Sequence, residues 1–196
     1  MAPHWNGSGF RIPASPTIRS DPVKSRVLLP AFLLATSCAA PAFAQDGTYS
    51  LNDGAVRFGA PAGWTAVMQK TDGNPQAIAF QVPDPAAEGT DDAASVTVKT
   101  RHLANDSQFG VVVREQIDHA RQQPGYEADA AGTDASTHRY HVVRGKTKYF
   151  VRDSFQEVGG VAVEVRCQRP LLDASSAAWN ARFDSECGAL VASLAR

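Results

Sequence analysis

The sequence predicts an α+β fold, a mainly antiparallel sheet with two helices packed on it, preceded by a signal peptide. Three observations carry this expectation. Short segments alternate apolar and polar residues between turn signals, two stretches repeat apolar residues at helical spacing, and the leading residues differ in composition from the rest.

Composition sets the bounds. The chain has 196 residues, 43% apolar, 20% charged and 8% aromatic, which fits one globular domain and excludes collagen-like, coiled-coil and disordered classes. Its 19 Lys and Arg against 20 Asp and Glu leave a net charge of -1. That balance excludes a strongly basic nucleic-acid binder and supplies no polybasic membrane anchor.

The leader comes first. Lys24 and Arg26 precede an apolar run over 27–36, and small residues then lead to Ala42-Phe43-Ala44. A positive end, an apolar stretch of about ten residues and an A-x-A site are the three parts of a secretory signal. The sequence therefore places a signal peptide at 23–44 with cleavage between Ala44 and Gln45. A membrane-spanning helix needs roughly 20 apolar residues, and here Pro30 and Ser37 interrupt the run. Residues 1–22 read as a disordered upstream extension, with the natural start near Val23. Lipidation at Cys38 is the weaker reading, because Ala35 stands where a lipobox has Leu or Val. No span remains in the mature chain.

Removal of the leader changes the arithmetic. It takes away Arg11, Arg19, Lys24, Arg26 and Asp21, leaving 15 basic and 19 acidic residues, about -4, in a single domain of 152 residues at 45–196. Such a length buries roughly 70% of its unfolded surface. Only Cys167 and Cys187 remain, an even pair that an oxidising compartment would join.

Strands over 48–51 and 55–58 flank the turn signal Asn52-Asp53-Gly54. Ala60-Pro61-Ala62-Gly63-Trp64 then stops regular structure. Residues 76–82 and 95–101 alternate and read as strands, with Ile78, Phe80 and Val82 on one face and Val96 and Val98 on another. The connection between them carries Asp84, Glu88, Asp91 and Asp92 without a basic residue. Asp106-Ser107 is expected to cap a helix to about Gln122, with Phe109, Val113, Ile117 and Ala120 inward and Pro124-Gly125 stopping it. Three strand-like segments follow, turned at Gly145-Lys146 and Gly159-Gly160, and Val161, Val163, Val165 and Cys167 share one face of the last. Ser175 or Ser176 caps a final helix whose stripe is Trp179, Phe183, Cys187, Leu190 and Leu194. Cys167 and Cys187 lie on faces that should meet, so a disulfide is expected; two separate buried thiols are the alternative.

Val56-Arg57-Phe58-Gly59-Ala60-Pro61-Ala62-Gly63-Trp64 resembles the strand and P-x-G-W corner of the PsbP-like family of small exported domains. The element order over 48–194 resembles that family's sandwich as well. The resemblance implies accessory or binding modules without shared catalytic residues, a fold-level association rather than a site argument. The Cys167 and Cys187 pair departs from what the family implies.

Motifs for chemistry are sparse. The signatures G-x-S-x-G, H-E-x-x-H, C-x-x-C and the P-loop are missing from the mature region, and His138 and His141 face opposite sides of a strand, against joint metal ligation. No cofactor or metal is expected. The acidic connection lacks the spacing of a calcium loop, which leaves a solvated loop or a surface for a basic protein partner. Asp84, Glu88, Asp91, Asp92 and Trp64 are the candidate partner-binding residues, Trp64 being also a natural plug for the core edge.

The sequence thus supports an exported, periplasmic, non-catalytic binding or accessory protein, with catalysis left open but disfavoured. Two alternatives stand beside it. One is an immunity or inhibitor protein neutralising a secreted cell-wall hydrolase, and the other a hydrolase assembling His102, His138 or His141 with distant Ser and Asp.

Overall fold

A computed structural model describes residues 47–194. The extension at 1–22, the leader at 23–44, Cys38 and the cleavage site at Ala44 and Gln45 lie outside the described residues.

Strands β1 (Gly47–Leu51) and β2 (Val56–Ala60) form a separate antiparallel hairpin. Its turn needs left-handed backbone, and Asn52, Asp53 and Gly54 adopt φ of 52°, 56° and 90°. Asn, Asp and Gly tolerate that region best, which is why this tripeptide reverses the chain here. The other seven strands are β3 (Thr65–Lys70), β4 (Gln76–Val82), β5 (Ala94–His102), β6 (Glu127–Ala128), β7 (Thr137–Arg144), β8 (Thr147–Val158) and β9 (Val161–Pro170). They lie in the order β3-β4-β5-β9-β8-β7-β6, each neighbouring pair antiparallel. The meander β7-β8-β9 thus returns to insert β9 beside β5. Helices α1 (Gln108–Arg121) and α2 (Ala177–Ser193) complete the α+β architecture.

Alternation along the strands divides the sheet into two faces. On one, Ile78, Phe80, Val96, Val98, Val161, Val163 and Val165 meet Trp179, Phe183, Leu190 and Leu194 of α2, with Leu51, Val56 and Phe58 of the hairpin closing the same core. Ser176 caps α2 by accepting from the Trp179 N–H at 3.1 Å. The Cys167–Cys187 disulfide, with Cα atoms 6.4 Å apart, fastens β9 to α2 inside this core. Beside α2, Phe150 is covered by the guanidinium groups of Arg139 and Arg169, 5.0 and 5.1 Å from the ring centre, and Arg169 pairs with Asp184 of α2 at 3.4 Å.

Three expectations need correction. Thr65–Lys70 is a strand, concealed because its register shifts between Ala66 and Met68 and leaves Val67 and Met68 exposed at the sheet edge, so the segment shows no alternation. Ser107 does not cap α1 through its side chain: its hydroxyl donates to Asn105 Oδ1 at 2.6 Å, and Gln108 Oε1 reaches back to accept from the Ala104 N–H at 2.8 Å. The inward stripe of α1 is also displaced, since Val112 and Ala120 are its buried residues while Phe109, Val113 and Ile117 are only half-buried. The spacing 109, 112, 116, 120 follows the helical period as well as the expected one, and Gln116 on it disguised the true face.

The disulfide closes a loop with a separation of 20 residues, worth about 3 kcal/mol in the chain-entropy model. Replacing Cys167 and Cys187 together by Ala is expected to lower unfolding free energy by about that amount, read as a fall in the urea midpoint. An unchanged midpoint would show the bond contributes nothing.

Candidate functional site

The face opposite α2 has a different chemistry. Cross-strand register sets Lys99 of β5 against Glu164 of β9, and Arg166 of β9 against Asp153 of β8, which in turn faces His138 of β7. Strands that are apolar on the α2 side therefore bring a charged row together on the α1 side. Arg166 grips Asp153 with both arms of its fork, Nε to Oδ1 at 2.7 Å and Nη2 to Oδ2 at 2.9 Å, and the Tyr140 hydroxyl donates to Oδ2 at 3.0 Å. Asp153 is fully buried. Glu164 lies 3.0 Å from Arg166 and 4.0 Å from the Lys99 ammonium.

The environment shifts these groups in opposite directions. Burial raises the Glu164 carboxyl above its ordinary range, helped by the Asp153 charge and opposed by Arg166 and Lys99. Burial also works against the Arg166 charge, but the hydrogen bonds and charge of Asp153 outweigh it and hold the guanidinium protonated. Tyr140 is pushed up by burial and by Asp153, which fixes it as a donor. His138 is buried, its pKa lowered by desolvation, with Nε2 3.1 Å from the Tyr126 hydroxyl.

A cleft runs between this row and α1. Its apolar end, about 70 Å³, is lined by Phe109 and Val112 of α1 and by Phe155 and Ala162 of the sheet. Its polar end, about 220 Å³, is lined by Thr97, Lys99, Gln116, His119, Glu164 and Arg166. Lys99, Gln116 and Glu164 border both ends, so the two are adjacent. One end of α1 is seated where Ala120 packs with Tyr140, Val142, Tyr149 and Val151. At its other end Phe109 and Val112 face Phe155 and Ala162 across a small gap.

The residues singled out from the sequence lie elsewhere. Asp84 and Asp92 serve as braces: Asp84 accepts from the Ala86 N–H at 2.9 Å and from Ser175 Oγ at 2.9 Å, while Asp92 accepts from Thr147 Oγ1 at 2.8 Å and from the Tyr149 hydroxyl at 2.9 Å. Burial first, and then this bond, push the Tyr149 hydroxyl up to about 12. Glu88 and Asp91 stand exposed. Trp64 packs at the core edge, 6.0 Å from the Phe80 ring, with Nε1 donating to Glu186 Oε2 at 3.1 Å. Among the described residues, the side-chain hydrogen bonds of histidine go to Gln123 and Tyr126, and none joins a histidine to a serine or cysteine. No group of three metal-ligating residues is assembled there, and no helix is long and apolar enough to cross a membrane.

Sequence reasoning missed Lys99, Tyr140, Asp153, Glu164 and Arg166. The one available signal was the alternation of Glu164, Arg166 and Gln168 with Val163, Val165 and Cys167, which reads equally well as a strand with a solvated face.

Removing Asp153 leaves the buried side of Arg166 without its partner. Asp153→Ala is expected to cost about 3 kcal/mol or more, measured by urea unfolding; a loss below 1 kcal/mol would mean water replaces the carboxylate. Glu164 gives the opposite pH signature. Because its folded pKa is raised above 4.5, the folded state holds the proton more tightly, and ionising it costs stability as pH rises above that value. The melting temperature of Glu164→Gln should therefore gain on that of the unsubstituted protein between about pH 4 and pH 7. Parallel curves would contradict this account.

No family model matches the chain, and no curated protein matches it. Two solved structures are similar in outline. One is LpqN, involved in cell envelope biogenesis of Mycobacterium tuberculosis, at 10% identity and TM-score 0.43 over 68% of this chain and 78% of that one. The other is a point mutant of the protein Mog1, at 14% identity and TM-score 0.44 over 78% of this chain and 94% of that one.

Proposed function

We propose that the chain is the precursor of an exported, periplasmic, non-catalytic binding or accessory protein of the PsbP-like kind, and that the cleft under α1 is its binding site. The cleft itself carries this reading. It joins an apolar end to a few convergent polar groups on a rigid sheet, the usual construction of a small-ligand site. The buried disulfide supports export, since such bonds persist in oxidising compartments. The signal-type segment at 23–44 supports it independently.

A second reading, an immunity or inhibitor protein for a basic cell-wall hydrolase, draws on the exposed carboxylates of Glu88 and Asp91. Uncompensated charge of one sign steers an opposite surface toward it. Asp84 and Asp92, engaged within the fold, would contribute through loop shape.

Two measurements test these readings. Mass spectrometry of the periplasmic product should find Gln45 at its N-terminus, and recovery only from the cytoplasm would overturn export. A pull-down from periplasmic extract should lose a basic partner with Glu88→Gln and Asp91→Asn together if the acidic loop recruits it. Equal recovery of every partner would remove the immunity reading and leave the cleft.

A further inference from the structure

We infer that the cleft under α1 binds a small amphipathic carboxylate, an acid with a short hydrocarbon tail, and that Lys99 holds its head group; the inference rests on the binding reading above and names the ligand class. The cations lining the cleft are not equally well paired. Lys99, Arg101 and Arg166 line it against Glu164. Glu115 answers Arg101 at 2.7 Å, and Asp153 answers Arg166 from behind. Glu164 turns to Arg166 at 3.0 Å and stands 4.0 Å from Lys99. Lys99 is thus the most loosely paired of the three cations, with 40% of its side chain exposed where the two pockets meet.

The surroundings favour a singly charged oxygen anion. Thr97 and Gln116 line the same end with groups that donate to a carboxylate oxygen. One loosely paired ammonium suits a carboxylate better than a multiply charged phosphate, which draws on several fixed donors. A primary amine would instead need Glu164, whose carboxylate is buried and already held by Arg166. The apolar end sets the tail. Phe109, Val112, Phe155 and Ala162 give the apolar part of a pocket of about 70 Å³, room for a short chain and too little for a long fatty acid.

Hexanoate, hexylamine and hexanol separate these chemistries at equal tail length. In amide chemical-shift titrations of the mature protein, hexanoate should bind with shifts centred on Thr97, Val112 and Gln116. Lys99→Gln should weaken it about tenfold or more while leaving the unfolding midpoint unchanged. Binding of hexylamine or hexanol with hexanoate silent would overturn the ligand class and leave the cleft as a binding site. Hexanoate binding undiminished by Lys99→Gln, or centred elsewhere, would overturn the assignment to Lys99. Silence of all three alongside partner recovery in the pull-down would overturn the small-ligand inference while the accessory reading stands.

Discussion

Strand β9 lies between β5 and β8, and its alternation commits each side of the sheet to a different layer. Val161, Val163, Val165 and Cys167 face α2, while Glu164 and Arg166 face α1. A one-residue slip of β9 would bury Glu164 and Arg166 beneath α2 and turn the valines toward the charged row. The register therefore has to be held from both sides. Cys187 holds it covalently on one, and on the other Arg166 meets Asp153 through two short parallel bonds.

The two faces are held by different physics, and this accounts for the cleft. Under α2, large apolar side chains interdigitate over a long helical stripe, and close packing leaves little space. Under the middle of α1, the floor is ionic. A buried carboxylate and guanidinium recover their desolvation cost only with good geometry and fully used hydrogen bonds, which Asp153 obtains from Arg166 and Tyr140. Glu164 and Lys99 lie at the margin of that network, at longer distances and nearer solvent. Apolar side chains of α1 pressed onto them would strip water without supplying partners, so Phe109 and Val112 stand beside the charges and a gap remains.

Legibility in the sequence followed the range of the interactions. The last helix was readable because Trp179, Phe183, Cys187, Leu190 and Leu194 repeat locally, and the strand from Val161 to Cys167 because its apolar residues alternate. Turns at Asn52-Asp53-Gly54 and Gly159-Gly160 were readable because left-handed backbone selects those residues. Thr65–Lys70 was not, since its bulge erases alternation, nor was Glu127–Ala128, a two-residue strand too short to carry a pattern. The charged row was hidden for another reason. Asp153 and Arg166 meet across the β8–β9 hairpin, but Lys99 joins them only because β9 inserts beside β5. The acidic connection misled in the same way, because the partners of Asp84 and Asp92, Ser175 and Tyr149, are far away in sequence.

The same asymmetry bears on motion. Opening a segment costs what its buried contacts and protected hydrogen bonds are worth. Displacing α2 would expose Trp179, Phe183, Leu190 and Leu194, and the disulfide tethers it even then. Displacing the first turns of α1 would uncover Phe109, Val112, Phe155 and Ala162 and, among the described residues, break the exposed pair of Arg101 and Glu115. Ala120, packed with Tyr140 and Tyr149, fixes the far end of the helix on the sheet. The apolar stripe of α2 and its disulfide therefore carry more of the packing that holds helix to sheet than α1 does.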